Sequence, residues 1–181
     1  MAKDSIMIDL ETLCTLPTAT VLTIGAVRFD VDGKPEDILE TDKLYIRVDI
    51  DSCADMDLSI SDSTLQWWGR QSESAQEEAF GGDNRTPITD ALSQLHKFCW
   101  GSKFAWSHGA TFDLVILEHL YRKVGKTAPW RYFNARDTRT LFNLGIEPGM
   151  PATTAHKALD DAYAQAVAVQ NVYRVLRSKG I

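Results

Sequence analysis

The sequence predicts an α/β fold: a central sheet that opens as a three-strand antiparallel meander, continues in strands alternating with helices, and is flanked by helices. Three observations predict it. Residues 5–10 form an apolar run of strand length, Ser5-Ile6-Met7-Ile8-Asp9-Leu10. Two further β-rich stretches, 20–30 and 44–48, follow it across turn signals. From residue 61 onward the apolar period becomes helical, interrupted by a short strand. No repeat or low-complexity linker divides the 181 residues, so one domain, 1–181, is expected.

Each element has its own signal. Residues 5–10 read as a central strand, with Met7, Asp9 and Glu11 on one face because strand side chains alternate. Thr20 to Asp30 is rich in β-branched residues and reads as the second strand, closed by the turn Val31-Asp32-Gly33. Leu44-Tyr45-Ile46-Arg47-Val48 alternates and reads as the third. Residues 61–79 turn helical, with Ser63 as a candidate cap and Ser74 and Glu77 at capping-box spacing. Thr86-Pro87 opens another helix, Pro at its first position, whose buried stripe is Ile88, Ala91, Leu92, Leu95 and Phe98. Phe104-Ala105-Trp106 is a short strand with Trp106 in the core. A helix from about Thr111 to Val124 carries Asp113 in its first turn and stops at Gly125. Asp137 caps a short helix. The last helix runs from about Lys157 to Arg177, with Leu159, Ala162, Tyr163, Ala166, Val169, Tyr173 and Leu176 inward.

The chemistry-bearing residues stand where these elements end or begin. Asp9 and Glu11 close the first strand, Asp113 opens a mid-chain helix, and His156 and Asp161 bracket the start of the last one. Each cluster abuts apolar segments, where an unpaired carboxylate is costly to bury. Converging carboxylates repel one another unless a cation joins them, and hard oxygen ligands suit Mg²⁺ or Mn²⁺. The pattern therefore points to metal-dependent phosphodiester chemistry.

Bulk properties narrow the class further. The net charge of −6 argues against a protein that coats nucleic acid non-specifically, though not against an enzyme gripping one strand end. One stretch is locally basic: Arg122, Lys123, Lys126, Arg131, Arg136 and Arg139, which reads either as a phosphate path or as a solvated face. No stretch is apolar enough to span a bilayer, and Met1-Ala2-Lys3-Asp4 lacks the apolar core of a signal peptide, so a cytoplasmic protein without membrane contact is expected. Cys14, Cys53 and Cys99 are widely spaced and read as free thiols. Trp67 and Trp68 read as a buried helix face, with a base-stacking platform as the alternative. Trp130, Tyr132 and Phe133 fit either a nucleic-acid groove or a subunit contact.

Three motifs in order resemble the DnaQ-like, or DEDDh, family of 3′–5′ exonucleases: Asp9-Leu10-Glu11-Thr12, Phe112-Asp113, and His156 followed five residues later by Asp161. A narrower likeness, in Ile24-Gly25-Ala26-Val27-Arg28-Phe29-Asp30, Thr64-Leu65-Gln66-Trp67-Trp68 and Arg136-Asp137-Thr138-Arg139-Thr140-Leu141, is to a compact branch. That branch holds phage-encoded DNA exonucleases and a mycobacterial exoribonuclease related to ribonuclease T. The resemblance implies a ribonuclease H-like fold, with a mixed sheet of antiparallel meander plus parallel strands. It implies that Asp9, Glu11, Asp113 and Asp161 hold two divalent cations, Mg²⁺ or Mn²⁺, and that His156 is the general base. Asp160 competes with Asp161, but the spacing from His156 favours Asp161.

The implied reaction removes nucleoside 5′-monophosphates from the 3′ end of single-stranded nucleic acid, DNA favoured. An exoribonuclease on the same site, or a non-catalytic nucleic-acid-binding module of the same fold, are the alternatives. Thr12, Leu13, Phe112 and His108 are the residues the resemblance brings to the substrate, and related enzymes often form homodimers. Two positions depart from the pattern. Cys14 stands where Gly is usual, and Ser107 or His108 where Asn is usual.

Overall fold

The computed structural model describes residues 3–153 and 156–180. Met1 and Ala2, on which part of the N-terminal reading rests, lie outside them. The strands are β1 (Ser5–Thr12), β2 (Val21–Phe29), β3 (Lys43–Arg47), β4 (Phe104–Ser107) and β5 (Ala135–Asp137). They form one mixed sheet in the order β3-β2-β1-β4-β5. β1–β2 and β2–β3 pair antiparallel, which is the expected meander, while β1–β4 and β4–β5 pair parallel. The helices are α1 (Ile50–Ala54), α2 (Asp62–Trp68), α3 (Glu73–Phe80), α4 (Ile88–Phe98), α5 (Asp113–Lys123), α6 (Thr138–Phe142) and α7 (Ala158–Ser178).

Period-two alternation divides the sheet between two helical layers. Ile6, Ile8 and Leu10 of β1, with Ile24 and Ala26 of β2, pack against Leu92 and Leu95 of α4 and Leu114, Leu117 and Leu120 of α5. Met7, Val27, Phe29 and Trp106 face the other way, onto Ala162, Ala166 and Val169 of α7. Each such large side chain, taken fully out of water, contributes about 1.5–3 kcal/mol, and the two layers bury more than a dozen. Asp9 and Glu11 continue the Met7 face, so they emerge beneath α7 where the apolar lining ends.

Some boundaries differ from expectation for identifiable reasons. Ser61, not Ser63, caps α2, because its Oγ accepts the Thr64 amide at 3.2 Å. Ser72, not Ser74, caps α3 in the same way, accepting the Ala75 amide at 3.2 Å. In both, the later serine bonds the capping hydroxyl instead. Pro87 sits just before α4 rather than inside it. α1, capped by Asp49, and the three-residue β5 are too short to show a period and were not foreseen. Asp137 caps α6 as expected, accepting from the Arg139 amide at 2.9 Å. Gly125 follows the end of α5 at φ +69, the left-handed conformation that favours glycine. Among the described residues no helix is long and apolar enough to cross a membrane.

Candidate active site

β1 is paired on both sides only at its start. β4 pairs with it as far as Met7, so the strand's carboxyl end runs past β4. The freed Leu10 amide donates to Asp113 Oδ1 at 3.0 Å, which ties the start of α5 to β1 and buries the Asp113 carboxylate beside Asp9. The β1–β2 register breaks between Glu11 and Thr12, a local irregularity of the kind that re-aims side chains at sites.

α7 completes the arrangement from above. Gly25 of β2 lies directly opposite Asp9. A Cβ on Gly25 would come within 2.2 Å of the Ala158 backbone, so only glycine lets the first turn of α7 lie on the sheet here. That turn carries Asp161, and carboxylate oxygens of Asp9, Glu11 and Asp161 come within 4.8 Å of one another. Asp113 is outside that mutual set, its carboxylate turned to the Leu10 amide. Asp160 pairs with Lys157 at 3.6 Å instead. Gln165, one turn beyond Asp161 and buried, donates from Nε2 to Asp9 Oδ1 at 3.0 Å. Nothing in the sequence reading singled out Gln165. Its signal was a polar residue four positions after Asp161, hence on the same helix face.

The electrostatics follow from this crowding. Burial, then Asp113, hold the Asp9 carboxyl well above the usual carboxylate range, and the Gln165 hydrogen bond offsets only part of that. Burial, then Asp161, then Asp113 push Glu11 up to about 8. Burial raises Asp113 to about 7 against the opposing Leu10 amide. Asp161 is raised too, by burial, with Thr153 and His156 opposing. Like charges crowded together in a buried place repel one another unless a positive charge joins them. An oxygen-only set at this spacing suits a hard divalent cation.

His156 precedes α7 with φ +63, a left-handed conformation that costs a non-glycine residue on the order of 1 kcal/mol or more. Its ring lies edge-on to Trp67 and Trp68, with centroids 4.9 and 6.1 Å away. The two tryptophans divide the expectations between them. Trp68 is buried and donates its indole N–H to the Thr12 carbonyl at 3.0 Å. Trp67 is 39% exposed and walls a groove with Leu10, Glu11, Thr12, Thr15, Ser63, Thr64, Trp68 and Phe112.

The expected substrate residues fare unevenly. Phe112 and Thr12 line that groove, although the Thr12 hydroxyl donates to the Cys14 carbonyl at 2.7 Å. Leu13 does not reach it. It is 2% exposed and packs against Leu22, Trp68, Ala75 and Ala79, because the chain turns inward after the Glu11–Thr12 irregularity. His108 stands on the β4–β5 side, its Nδ1 2.8 Å from Thr138 Oγ1. The Cys14 side chain is buried in the α4–α5 layer and is not among the residues that wall the groove. Cys14, Cys53 and Cys99 are free thiols. Trp106 is core, as expected, and Trp130 is nearly buried, whereas Tyr132 and Phe133 are exposed.

Comparison with known proteins bears on the family and the fold. Residues 4–173 match the family described as the 3′–5′ exoribonuclease Rv2179c-like domain. An exodeoxyribonuclease of Enterobacteria phage T4 is 26% identical over 159 residues, covering 74% of this chain and 68% of that protein. The crystal structure of the nuclease domain of 3′hExo, a DEDDh family member bound to rAMP, superposes with a TM-score of 0.51. It is 15% identical, and the match covers 96% of this chain and 92% of that one. The fold is thus the ribonuclease H-like one that the motifs implied. The chain belongs to the Rv2179c-like family of 3′–5′ exonuclease domains.

Proposed function

We propose that this 3′–5′ exonuclease hydrolyses the last phosphodiester of single-stranded nucleic acid, DNA in preference to RNA, and releases nucleoside 5′-monophosphates. The observation that carries the reading is the meeting of Asp9, Glu11 and Asp161, from opposite ends of the chain, beside buried Asp113. These four would hold two divalent cations, Mg²⁺ or Mn²⁺. When bound, the cations supply the positive charge that makes a water acidic and offsets charge on the departing 3′ oxygen. His156 takes the proton from that water as general base. It sits on the segment before α7 and is free of helical constraint, whereas Asp161 is held in the first turn. Trp67 and Phe112 supply apolar walls on which any terminal base can stack.

The preference for DNA draws on the likeness to the phage exodeoxyribonuclease. A second reading, RNA, draws on the description of the matched family. The test pairs DNA and RNA oligonucleotides of one sequence, with free and blocked 3′ ends, in Mg²⁺ or Mn²⁺. Mononucleotides should appear from free ends only, faster from DNA, and Asp113→Ala should abolish them. Release from neither polymer overturns the enzyme reading, and activity surviving Asp113→Ala belongs to a contaminant. A homodimer and a cytoplasmic location complete the proposal, the first checked by sedimentation.

A further inference from the structure

The basic stretch between residues 122 and 139 resolves into five committed cations and one that is not. Arg122 pairs with Glu118, Lys123 donates to the Met56 carbonyl, and Lys126 donates to Ser93 Oγ. Arg131 lies over the Phe133 ring. Arg136 donates to the Phe133 and Ala135 carbonyls and covers the Phe104 ring. The Arg139 guanidinium makes no hydrogen bond and no ion pair among the described residues, yet its place is well defined. Asp137 accepts the Ala110 amide on one oxygen at 3.0 Å and the Arg139 amide on the other at 2.9 Å. It thereby fastens the turn after β4 to the start of α6. A Cβ on Gly109 would lie 3.5 Å from the Arg139 guanidinium carbon, so this cation lies along the bare backbone of that turn. The Gly109 carbonyl accepts the Phe112 amide at 2.8 Å, so the same turn runs directly into the start of α5 at Asp113.

The acidic centre therefore has different surroundings on its two sides. Toward α2 lies the groove walled by Trp67, and at the turn between β4 and α5 lies an exposed, uncommitted arginine. The groove and the arginine flank the carboxylates, so a strand with its terminal base in the groove can run its earlier nucleotides toward the turn at Gly109. We infer that Arg139 binds a backbone phosphate on the nucleotides preceding the scissile bond, and so selects a polymer end over a mononucleotide ester. This inference rests on the proposed exonuclease reading.

The experiment compares wild type, Arg139→Ala, Arg139→Lys and a distant exposed cation change, Lys97→Ala, on two substrates. One is a single-stranded DNA decamer. The other is the p-nitrophenyl ester of thymidine 5′-monophosphate, whose leaving group stands in place of the preceding nucleotides. Arg139→Ala should reduce kcat/KM on the decamer about tenfold more than on the ester, as loss of one charge-assisted contact would. It should also flatten the slope of log kcat/KM against log salt by about 0.7, the share of one phosphate on a single strand. Arg139→Lys should keep most of the slope, and Lys97→Ala should change neither quantity. Equal losses on both substrates, or an unchanged slope, overturn the role given to Arg139. A wild type silent on both substrates overturns the exonuclease reading, and the inference with it.

Discussion

Glu11→Gln tests whether the acidic centre is assembled at the expense of fold stability. Burial and crowding raise the Glu11 carboxyl from 4.5 to about 8. The folded chain thus binds this proton more tightly than the unfolded chain does. Its contribution to stability is complete below pH 4.5 and is lost as pH climbs through 8. At about 1.36 kcal/mol per pH unit the interval amounts to about 5 kcal/mol at most. Asp161 and Asp113 contribute to that rise, so the share belonging to Glu11 alone is on the order of 2–3 kcal/mol. A glutamine amide in its place carries no charge to desolvate. Urea unfolding in the presence of a chelator reads the difference. With a urea slope of about 2 kcal/mol per molar, the variant's midpoint at about pH 8.5 should lie about 1 M above that of the wild type. At about pH 4 the two midpoints should coincide. Saturating Mn²⁺ should stabilise the wild type more than the variant, because the cation replaces the missing counter-charge. A variant that is less stable in the alkaline arm, or one whose advantage is the same at both pH values, would refute the reasoning.

Three further outcomes follow from contacts away from the carboxylates themselves or just behind them. Gly25→Ala places a methyl against the Ala158 backbone and should cost about 1–3 kcal/mol by thermal melting. It should also depress kcat disproportionately, because the turn bearing Asp161 is lifted; a stable variant with full activity would show that the close approach is dispensable. Gln165→Leu removes the amide that holds Asp9 Oδ1 and should weaken Mn²⁺ binding about tenfold in calorimetry. Unchanged affinity would make Gln165 a packing residue only. Burial alone would raise the Asp42 carboxyl, but hydrogen bonds from Lys3 and the Leu39 amide, with the charges of Lys3 and Arg28, hold it below the usual range. Its contribution is present above the unfolded value of about 3.9 and is lost as pH falls through the lower folded value. Asp42→Asn should therefore destabilise the fold by about 1–3 kcal/mol near pH 7 and less near pH 3. A constant difference across that range would count against the pairing.

Periodicity along the chain determined the meander, the strand bearing Met7, Asp9 and Glu11 on one face, and the long final helix. It also determined that each candidate carboxylate stands at the end of an apolar element. These are properties of residues adjacent in sequence, and side-chain alternation reports them directly. Tertiary packing alone decided what lies across from each element. That α7 rests on Gly25, that Gln165 reaches Asp9, and that Leu13 turns into the core depend on contacts between segments far apart in the chain. The choice of Ser61 over Ser63 was likewise invisible, since both serines satisfy the pattern and only the backbone path selects which hydroxyl meets the amide. Composition marked the stretch from Arg122 to Arg139 as basic. Only the folded neighbours, which engage five of those cations and pass over Arg139, decided where a phosphate could find one.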